Sequence, residues 1–286
     1  MLDLIRLARP KHWVKNAFVA APLFFTPDAI TAANLQAVAL AVIAFSLAAS
    51  AVYVANDYAD RATDRLHPEK RLRPLAAGRV SGAAALSFAL VLLLAALGLA
   101  MLLPAAFGRL LAVYLAINAA YSARLKHVSL LDVLIVASGF VLRVEAGAAA
   151  AGVSASVWIV VCTGLLALFL ALAKRRDDLT AAMDAAHRGA LEGYNLRFVD
   201  TAIAVVLGAL LVSYVIYTTD ANAIRRYGTD RLYATVPFVV AGVLRYLQIA
   251  LVEERAGSPT DIAVGDRFLL VCVLGWIATF GYLIYA

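Results

Sequence analysis

The sequence predicts an all-α integral membrane protein of nine transmembrane helices, on the evidence of its composition and its long apolar runs. Of its 286 residues, 64% are hydrophobic and 15% are charged, and the mean hydropathy is +0.85. A soluble domain carries about 25% charged residues. Because so much apolar surface cannot be hidden in one core, we expect lipid to surround a single polytopic membrane domain, residues 1–286.

Nine stretches approach the roughly 20 apolar residues that a helix needs to cross a bilayer. None alternates with a period of two, so helices are favoured over the strands of a barrel. The first stretch is the least regular, because Pro22 and Pro27 interrupt it. In chain order, the predicted spans are 16–33, 36–56, 83–103, 107–123, 130–150, 156–173, 199–217, 233–250 and 266–285.

The lysines and arginines of the connections predict the orientation. With the N-terminus in the cytoplasm, most of them fall on inner segments, and few, such as Arg109 and Arg231, fall outside. Cytoplasmic loops are the ones expected to be positive, so the net charge of +6 reflects topology and calls for no nucleic-acid partner. We therefore expect a multi-pass protein of the bacterial inner (plasma) membrane with a cytoplasmic active site. The inner connections that form this face are 57–82, 124–129, 174–198 and 251–265.

A cluster of charges of both signs follows the second span, in ANDYADRATDRLHPEKRLRPLAAG, residues 55–78. If the span continues as a helix to His67, then Asp57, Asp60 and Asp64 lie on one helix face. Carboxylates so close repel one another unless a cation neutralises them. Hard oxygen ligands suit Mg²⁺, which also bridges to phosphate oxygens. The three aspartates are therefore the predicted metal ligands.

The cations that follow suit a diphosphate. Lys70, Arg71 and Arg73 can grip its outer oxygens while a metal holds its inner face. Asn56 adds an amide that orients a ligand or holds the helix end. The alternative interpretation is a solvated helix end with scattered salt bridges. The coincidence of carboxylates on one face, a Lys/Arg set and a membrane boundary favours the metal and diphosphate site.

The pattern N-D-x-x-D-x-x-x-D, which begins at Asn56, resembles the first aspartate-rich motif of the UbiA-type intramembrane prenyltransferase superfamily. The resemblance covers nearly the whole chain. It implies a nine-helix bundle that holds Mg²⁺ and diphosphate in a central cavity facing the cytoplasm. The other matching stretches are RPKHWVKN (9–16), KRLRPLAAG (70–78), YSARLKH (121–127) and GFVLRVEAG (139–147).

Two departures from the superfamily pattern resemble one branch of it. A second D-x-x-x-D motif is expected after helix six, but Asp177 and Asp178 are adjacent, and neighbouring helix residues point about 100° apart. The usual Y-x-x-x-K pattern has one extra residue between Tyr121 and Lys126. Both features, together with the tail 244–270, are similar to the decaprenyl-phosphate phosphoribosyltransferase branch.

This branch implies a Mg²⁺-dependent glycosyltransferase. It would move 5-phosphoribosyl from 5-phosphoribosyl 1-diphosphate to a polyprenyl (decaprenyl) phosphate, for cell-wall arabinan or a related glycolipid. The catalytic residues it implies are Asp57, Asp60, Asp64, Lys70 and Arg71. The residues it implies for substrate binding, mostly through phosphate groups, are Lys15, Asn16, Asn56, Arg73, Tyr121, Lys126, Arg143, Lys174, Arg175 and Asp178.

Other interpretations stay open at this point. Arg143, within the fifth span, either reaches a phosphate or stabilises helix packing, since a buried arginine in a membrane is costly and often functional. An aromatic-acceptor polyprenyltransferase of the same superfamily is the nearest rival, and the missing second aspartate motif speaks against it. An anion or lipid transporter is disfavoured because the charge gathers at one membrane face. The sequence does not decide the lipid chain length or whether the protein is a homo-oligomer.

Overall fold

The structure, a computed structural model, describes residues 2–66, 70–183, 193–253, 262 and 265–285. Its long elements are α-helices, and short 3-10 segments connect several of them. The α-helices are α1 Leu2–Ala8, α2 Ala17–Phe24, α3 Ala32–Asp64, α4 Gly82–Ala100, α5 Ala105–Ala123, α6 Leu131–Ala151, α7 Val157–Met183, α8 Leu196–Thr219, α9 Ala221–Tyr227, α10 Val236–Leu251 and α11 Arg267–Tyr285.

Eight helices in the described part of the chain are long and apolar enough to cross a membrane, namely α3 to α8, α10 and α11. They correspond to the last eight predicted spans. The predicted span 16–33 is wrong as one continuous helix, because α2 has only 8 residues and the 3-10 turn Pro27–Ala29 follows it. Thr26, just before Pro27, leaves the helical region at φ −138° and ψ 75°, because proline disfavours helical backbone in the residue before it.

Side-chain caps fix where several helices begin. Thr31 accepts a hydrogen bond from the Asn34 N–H at the start of α3, and Ser81 does the same for Ala84 at the start of α4. Asn195 caps α8 in the same way through the Phe198 N–H. Each cap satisfies a backbone donor that the first helical turn leaves unpaired, and is typically worth about 1 kcal/mol.

The chain clusters into two compact units, Met1–Val128 with Ser138–Ala155, and Ser129–Ala137 with Ser156–Ala286. Helix α6 begins in the second unit and continues in the first. The first unit has an alanine-rich core in which Phe45, Phe107 and Tyr114 are buried. At Gly147 the backbone of α6 comes so close to α2 that an added Cβ would lie 1.8 Å from the Val19 carbonyl oxygen.

Within the first unit, the segment Pro10–Phe24 runs antiparallel to α3. It is helical throughout, as a 3-10 helix to Asn16 and as α2 beyond it. Arg9 contacts Asp57, and Leu23 packs in one cluster with Val38. Between these ends, Trp13 donates to Ser50 at 3.0 Å, and Asn16 donates to Ser46 at 2.9 Å. The segment thus follows α3 from residue 57 back to residue 38, over about 28 Å.

The second unit is built from α7 packed on α8 and α10 packed on α11. Its core holds Phe169, Ile203, Tyr246 and Ile249, all buried. The Phe169 and Tyr246 rings meet edge to face with their centroids 4.7 Å apart, a favourable arrangement of aromatic quadrupoles.

The tail that the sequence singled out, 244–270, contains an ion cluster centred on Arg245. The Arg245 guanidinium donates to Glu253 at 2.6 Å and to Asp266 at 2.7 Å. These hydrogen bonds lower the pKa of the Asp266 carboxyl, which also accepts from the Leu269 N–H at the start of α11. Arg245 therefore ties the end of α10 to the beginning of α11. Residues 254–261, 263 and 264 of the tail lie outside the described residues.

Candidate active site

The C-terminal end of α3 brings two of the predicted metal ligands together. Arg73 Nη1 donates to Asp57 Oδ1 at 3.1 Å and to Asp64 Oδ2 at 2.8 Å, so one nitrogen reaches both carboxylates. The side chains of Asp57 and Asp64 are only 4% and 6% exposed. Burying two carboxylates is costly unless cations pair with them. The helix ends at Asp64 rather than at His67, which lies outside the described residues.

The third predicted ligand, Asp60, points to a different partner. Its Oδ1 accepts from Lys126 Nζ, and its side chain is 38% exposed. Beside it, Asn56 Oδ1 accepts a short hydrogen bond from Ser122 Oγ. Asn56 and Asp60 therefore join α3 to the end of α5 and to the 3-10 segment Leu125–His127, which carries Lys126.

Arg9 is the second cation on Asp57. Its Nη2 donates to Asp57 Oδ1 at 2.6 Å, and its guanidinium lies 5.1 Å from the centre of the Tyr53 ring. Arg9 also has φ +50°, in the left-handed region that a non-glycine residue seldom occupies. Such backbone persists only where the surrounding contacts hold it, and it is common at functional sites. Here it turns the chain between α1 and the 3-10 helix that begins at Pro10.

The donor set fits a divalent cation in part. In the described residues, no group of three or more His, Cys, Asp or Glu side chains is arranged around one metal position. Asp57 and Asp64 share Arg73 whereas Asp60 contacts Lys126, and the three-aspartate metal site stays a prediction. However, Asp57 and Asp64 both reach a single cationic nitrogen of Arg73. Mg²⁺ is commonly held by one or two carboxylates, with water and substrate phosphates as its other ligands. The two carboxylates are suited to such a site.

The remaining predicted residues of the first unit lie on segments before and after α3 in the chain. Lys70 and Arg71 are exposed on a short 3-10 helix, three and two residues before Arg73, respectively. Tyr121 is half-buried near the end of α5, five residues before Lys126. Lys15 is half-buried in the segment Pro10–Phe24, which runs alongside α3. The chain thus places several cations on one unit with the paired aspartates.

Asn16 and Arg143, which the sequence predicts as substrate-binding residues, are buried in the first unit and contact each other. Arg143 is 5% exposed and donates to Asn16 Oδ1 at 2.7 Å, to the Gly139 carbonyl at 2.7 Å and to the Tyr114 hydroxyl at 3.3 Å. Asn16 is 1% exposed and also bonds Ser46, which precedes Asp57 on α3 by about 16 Å of helix. These contacts are internal, since Arg143 donates to three groups within the protein and Asn16 donates to Ser46.

Aromatic rings complete the surroundings of Arg143. Its guanidinium lies 5.3 Å from the centre of Phe45, 5.0 Å from Tyr114 and 5.4 Å from Phe140. An arginine over aromatic faces gains cation–π attraction, which is strongest where water is excluded. Of the two roles that the sequence left open for Arg143, the packing role is the one that its contacts favour.

The second unit contains a separate polar cluster at the C-terminal part of α7. Arg175 Nε donates to Asp132 Oδ2 at 2.6 Å, and Arg175 Nη1 donates to Asp178 Oδ2 at 2.8 Å. The Tyr194 hydroxyl donates to Asp132 Oδ1 at 2.6 Å and accepts from the Leu130 N–H at 2.7 Å. Burial, together with the bond to Asp132, raises the pKa of the Tyr194 hydroxyl to about 12. Tyr194 therefore stays protonated and a donor at neutral pH.

The other charges of this helix end are distributed around it. Lys174 is exposed, and Arg176 Nε donates to Asp200 Oδ1 of α8 at 2.8 Å. Asp178 pairs with Arg175. That the adjacent carboxylates of 177 and 178 make a poor chelate stays a prediction from their spacing.

Sequence reasoning missed some residues of these clusters. Asp132, Tyr194 and Ser122 are not among the predicted site residues, and Arg9 is expected at the inner interface near a lipid phosphate but not beside Asp57. The signal for Asp132 was present, because a lone carboxylate at the start of an apolar span needs a partner. Nothing in the sequence indicates that Tyr194, more than sixty residues later, supplies one.

A crevice lies at the other end of α7 and α8, lined by residues that include Trp158, Tyr217, Asp220 and Arg226. The Asp220 carboxylate caps α9, and its bonds to the Ala223 and Asn222 N–H groups lower its pKa. Because Trp and Tyr commonly line the membrane–water boundary, we interpret this crevice as part of an aromatic belt.

A family comparison decides what kind of chain carries these clusters. The model of the UbiA prenyltransferase family matches residues 16–260. The chain belongs to this family. It is a multi-pass membrane protein, and the resemblance predicted from the sequence motifs is confirmed.

Curated UbiA relatives narrow the resemblance. The chain is 38% identical to the decaprenyl-phosphate phosphoribosyltransferase of Mycolicibacterium smegmatis, over 99% of this chain and 92% of the relative. It is 36% identical to the Corynebacterium glutamicum protein of the same name, over 96% and 84% of the two chains. Both matches therefore cover nearly all of this chain.

A solved UbiA homolog supports the fold. The structure from Archaeoglobus fulgidus, bound to GPP and Mg²⁺, matches with a TM-score of 0.73. The alignment covers 99% of this chain and 100% of that one at 21% sequence identity. The all-α membrane fold predicted from composition is therefore confirmed as a UbiA-type fold.

Proposed function

We propose that this enzyme transfers 5-phosphoribosyl from 5-phosphoribosyl 1-diphosphate to decaprenyl phosphate or a similar polyprenyl phosphate. The products are polyprenylphosphoryl-5-phosphoribose and diphosphate. The observation that carries this proposal is the 38% identity to a decaprenyl-phosphate phosphoribosyltransferase over 99% of this chain. The lipid product would serve the synthesis of cell-wall arabinan or a related glycolipid.

The reaction needs mainly charge neutralisation from the protein, and the charged clusters at the ends of α3 and α7 can supply it. A phosphate oxygen of the lipid attacks C1 of the ribose, and the bond from C1 to the diphosphate oxygen breaks. The attacking phosphate is ionised at neutral pH, so no strong general base is needed. The main requirement is to neutralise negative charge on the donor, the acceptor and the leaving diphosphate.

Asp57 and Asp64, with Asp60 beside them, are proposed to hold Mg²⁺, which when bound would neutralise charge on the diphosphate. The pairing of both Asp57 and Asp64 with Arg73 supports this assignment, since a cation already occupies the position between them. In the structure, Arg73 and Arg9 bond carboxylate oxygens that would have to bind Mg²⁺ in this proposal. We propose that they turn to phosphate oxygens when the donor is bound.

The other cations of the first unit are proposed to bind phosphate groups. Lys70 and Arg71 are exposed three and two residues before Arg73, respectively, where they can reach the leaving diphosphate. Lys126 now neutralises Asp60 and is suited to a further phosphate. Lys15 and Tyr121 are proposed to contact the lipid phosphate or the 5-phosphate of the donor. Asn56, held by Ser122, would position this end of α3.

The second unit is proposed to bind a phosphate through Lys174 and Arg175. Arg175 is 22% exposed and is held by Asp132 and Asp178. A guanidinium held in a fixed plane recognises phosphate through paired hydrogen bonds. Asp178 is therefore proposed to act through Arg175. For Asn16 and Arg143 we replace phosphate binding with a packing role.

The proposed site faces the cytoplasm, in a central cavity of a bundle with nine crossings. The segment Pro10–Phe24 is the proposed ninth crossing, because it follows α3 over about 28 Å, close to the thickness of a bilayer core. With that crossing, Arg9 and Asp57 lie on the side where the N-terminus begins. The excess of positive charge on the connections of that side supports a cytoplasmic location.

The test is an assay of the purified protein in detergent with Mg²⁺, ribose-labelled phosphoribosyl diphosphate and a polyprenyl phosphate. We expect label in the lipid fraction only when all three are present. Incorporation only from a labelled prenyl diphosphate into an aromatic acid would contradict the proposal and favour the rival prenyl transfer.

A further inference from the structure

The buried carboxylate of Asp132 touches no substrate in the reaction proposed above, yet both of its oxygens have hydrogen-bond donors. Its side chain is 4% exposed, and each of its oxygens accepts a hydrogen bond. Arg175 Nε donates to one oxygen at 2.6 Å, and the Tyr194 hydroxyl donates to the other at 2.6 Å. Such a carboxylate is costly to bury, and charge-assisted hydrogen bonds offset that cost.

The contacts of Arg175 restrict the orientation of its guanidinium. Asp132 accepts from Nε on one edge, while Asp178 accepts from Nη1 on another. The guanidinium is planar, so two carboxylates on different edges fix both its position and its plane. Asp178 is 38% exposed, whereas Asp132 is buried. The firmer of the two attachments is therefore the one to Asp132.

Tyr194 in turn holds Asp132, and the Tyr194 hydroxyl is itself held by a residue with strained backbone, Leu130. The hydroxyl accepts from the N–H of Leu130, which has φ +69°, in the left-handed region that a branched side chain rarely adopts. Gly193, which directly precedes Tyr194, has φ +95°, and a Cβ added there would lie 2.3 Å from Ser129 Oγ. Residues 193–194 thus fit tightly against 129–130. Strain of this kind is retained where the geometry that it produces is needed.

We infer that Asp132 and Tyr194 are positioning residues that orient Arg175 toward a phosphate group of a substrate. The inference rests on the proposed function, which gives Arg175 a phosphate ligand. The chemistry recognised is a phosphate ester dianion, supplied either by the phosphoribosyl donor or by the polyprenyl phosphate. Tyr194 contributes by holding the carboxylate in the orientation that meets Arg175 Nε.

The chain offers a matched control on the same helix. Arg176, the neighbour of Arg175, donates its Nε to Asp200 at 2.8 Å, an ion pair of the same type. The Asp200 side chain is 35% exposed, and neither residue of this pair has a place in the proposed site. Asp132→Asn and Asp200→Asn each remove one negative charge from an arginine–aspartate pair. Only Asp132→Asn is expected to weaken substrate binding.

The test measures the affinity of each variant for phosphoribosyl diphosphate with Mg²⁺, and separately for a short-chain polyprenyl phosphate. Affinity is read both from the rise in melting temperature and from KM. We expect Asp132→Asn to weaken one of the two ligands about tenfold, as Arg175→Gln does, with kcat less affected. The double variant should be no weaker than Arg175→Gln alone, because both changes remove one interaction. Tyr194→Phe should weaken the same ligand about threefold, and Asp200→Asn less than about twofold.

Several results would overturn the inference. One is that the effects of Asp132→Asn and Arg175→Gln multiply. Another is that Asp132→Asn lowers the melting temperature of the unliganded protein while both affinities stay normal, as a purely structural carboxylate would. A wild-type protein that neither ligand stabilises would also overturn it. Stabilisation without transfer of label would contradict the proposed reaction alone and leave the assignment of Asp132 standing.

Discussion

At the scale of single residues, the account depends on how carboxylates and guanidinium groups share charge at the end of α3. Arg73 bridges Asp57 and Asp64, and Arg9 adds a second cation to Asp57. Each arginine is partly exposed, while both aspartates are buried. The arrangement holds two carboxylates close together beside cationic side chains, which suits a divalent cation that in turn binds a diphosphate.

The first prediction concerns these two carboxylates. Asp57→Asn and Asp64→Asn should each lower transfer of the phosphoribosyl group by at least about a hundredfold, because each removes charge from the metal position. The measurement is label transferred to lipid at saturating donor. Asp28→Asn, at an exposed aspartate elsewhere in the same unit, is the matched control and should retain its rate. If either site variant works at close to the wild-type rate, the metal position is wrong.

The second prediction separates packing from phosphate binding at Arg143. Arg143→Met should lower the melting temperature, because it leaves the buried Asn16 Oδ1 without the donor it has now. The KM values for donor and acceptor should stay within about threefold in the protein that remains folded. Arg109→Met, at an exposed arginine of α5, should change neither quantity. A tenfold rise in KM at an unchanged melting temperature would instead make Arg143 a phosphate ligand.

At the scale of elements, the segment Pro10–Phe24 is the feature that carries Arg9 to Asp57. It lies against α3 through Trp13 and Asn16, and against α6 at Gly147. The Val19 carbonyl comes so close to α6 that only glycine fits there. A small residue in a membrane helix thus permits a backbone approach that a larger side chain would prevent.

The third prediction tests this contact. Gly147→Ala should displace the segment, because its Cβ would lie 1.8 Å from a backbone oxygen that cannot rotate away. We expect a loss of stability of about 1–3 kcal/mol, as in an overpacked core, and a fall in transfer as Arg9 shifts. Gly208→Ala in α8 meets nothing within 4 Å and should be neutral or slightly stabilising. Equal melting temperatures for the two variants would contradict the close approach.

At the scale of the whole molecule, the sequence predicts the fold better than the site. Composition and run length correctly locate the last eight spans, because the bilayer imposes a length on each helix. The broken first segment escapes the same reasoning, since a 3-10 helix followed by a short α-helix has no distinct periodicity. Its course follows from tertiary contacts such as that of Leu23 with Val38.

The site shows the same division between local and distant information. Helical spacing correctly brings Asp57 and Asp64 together, because both lie on one helix. It does not reveal that Asp60 pairs with Lys126, or that Tyr194 holds Asp132, since those pairs are sixty or more residues apart. The motif resemblance identifies the family, and only the structure shows that Asn16 contacts Ser46 and Arg143.

The fourth prediction concerns orientation. Ala77, four residues after Arg73, and Ala221, at the start of α9, are both exposed, and each is replaced by cysteine in a separate variant. In intact cells, a membrane-impermeant maleimide should label the cysteine of Ala221→Cys, and should label that of Ala77→Cys only after the membrane is opened. Wild-type protein, with Cys162 and Cys272 within spans, gives the background. Labelling of the Ala77→Cys protein from outside would reverse the proposed topology.

The most direct test of the central claim follows both halves of the donor in one reaction. Phosphoribosyl diphosphate would carry one label on the ribose and a second on the terminal phosphorus of the diphosphate. With Mg²⁺, polyprenyl phosphate and the protein, we expect ribose label in the lipid and phosphorus label in free diphosphate, in equal amounts. Lipid that remains unlabelled while both substrates bind, or that takes up the phosphorus label, would contradict displacement at C1 by a lipid phosphate.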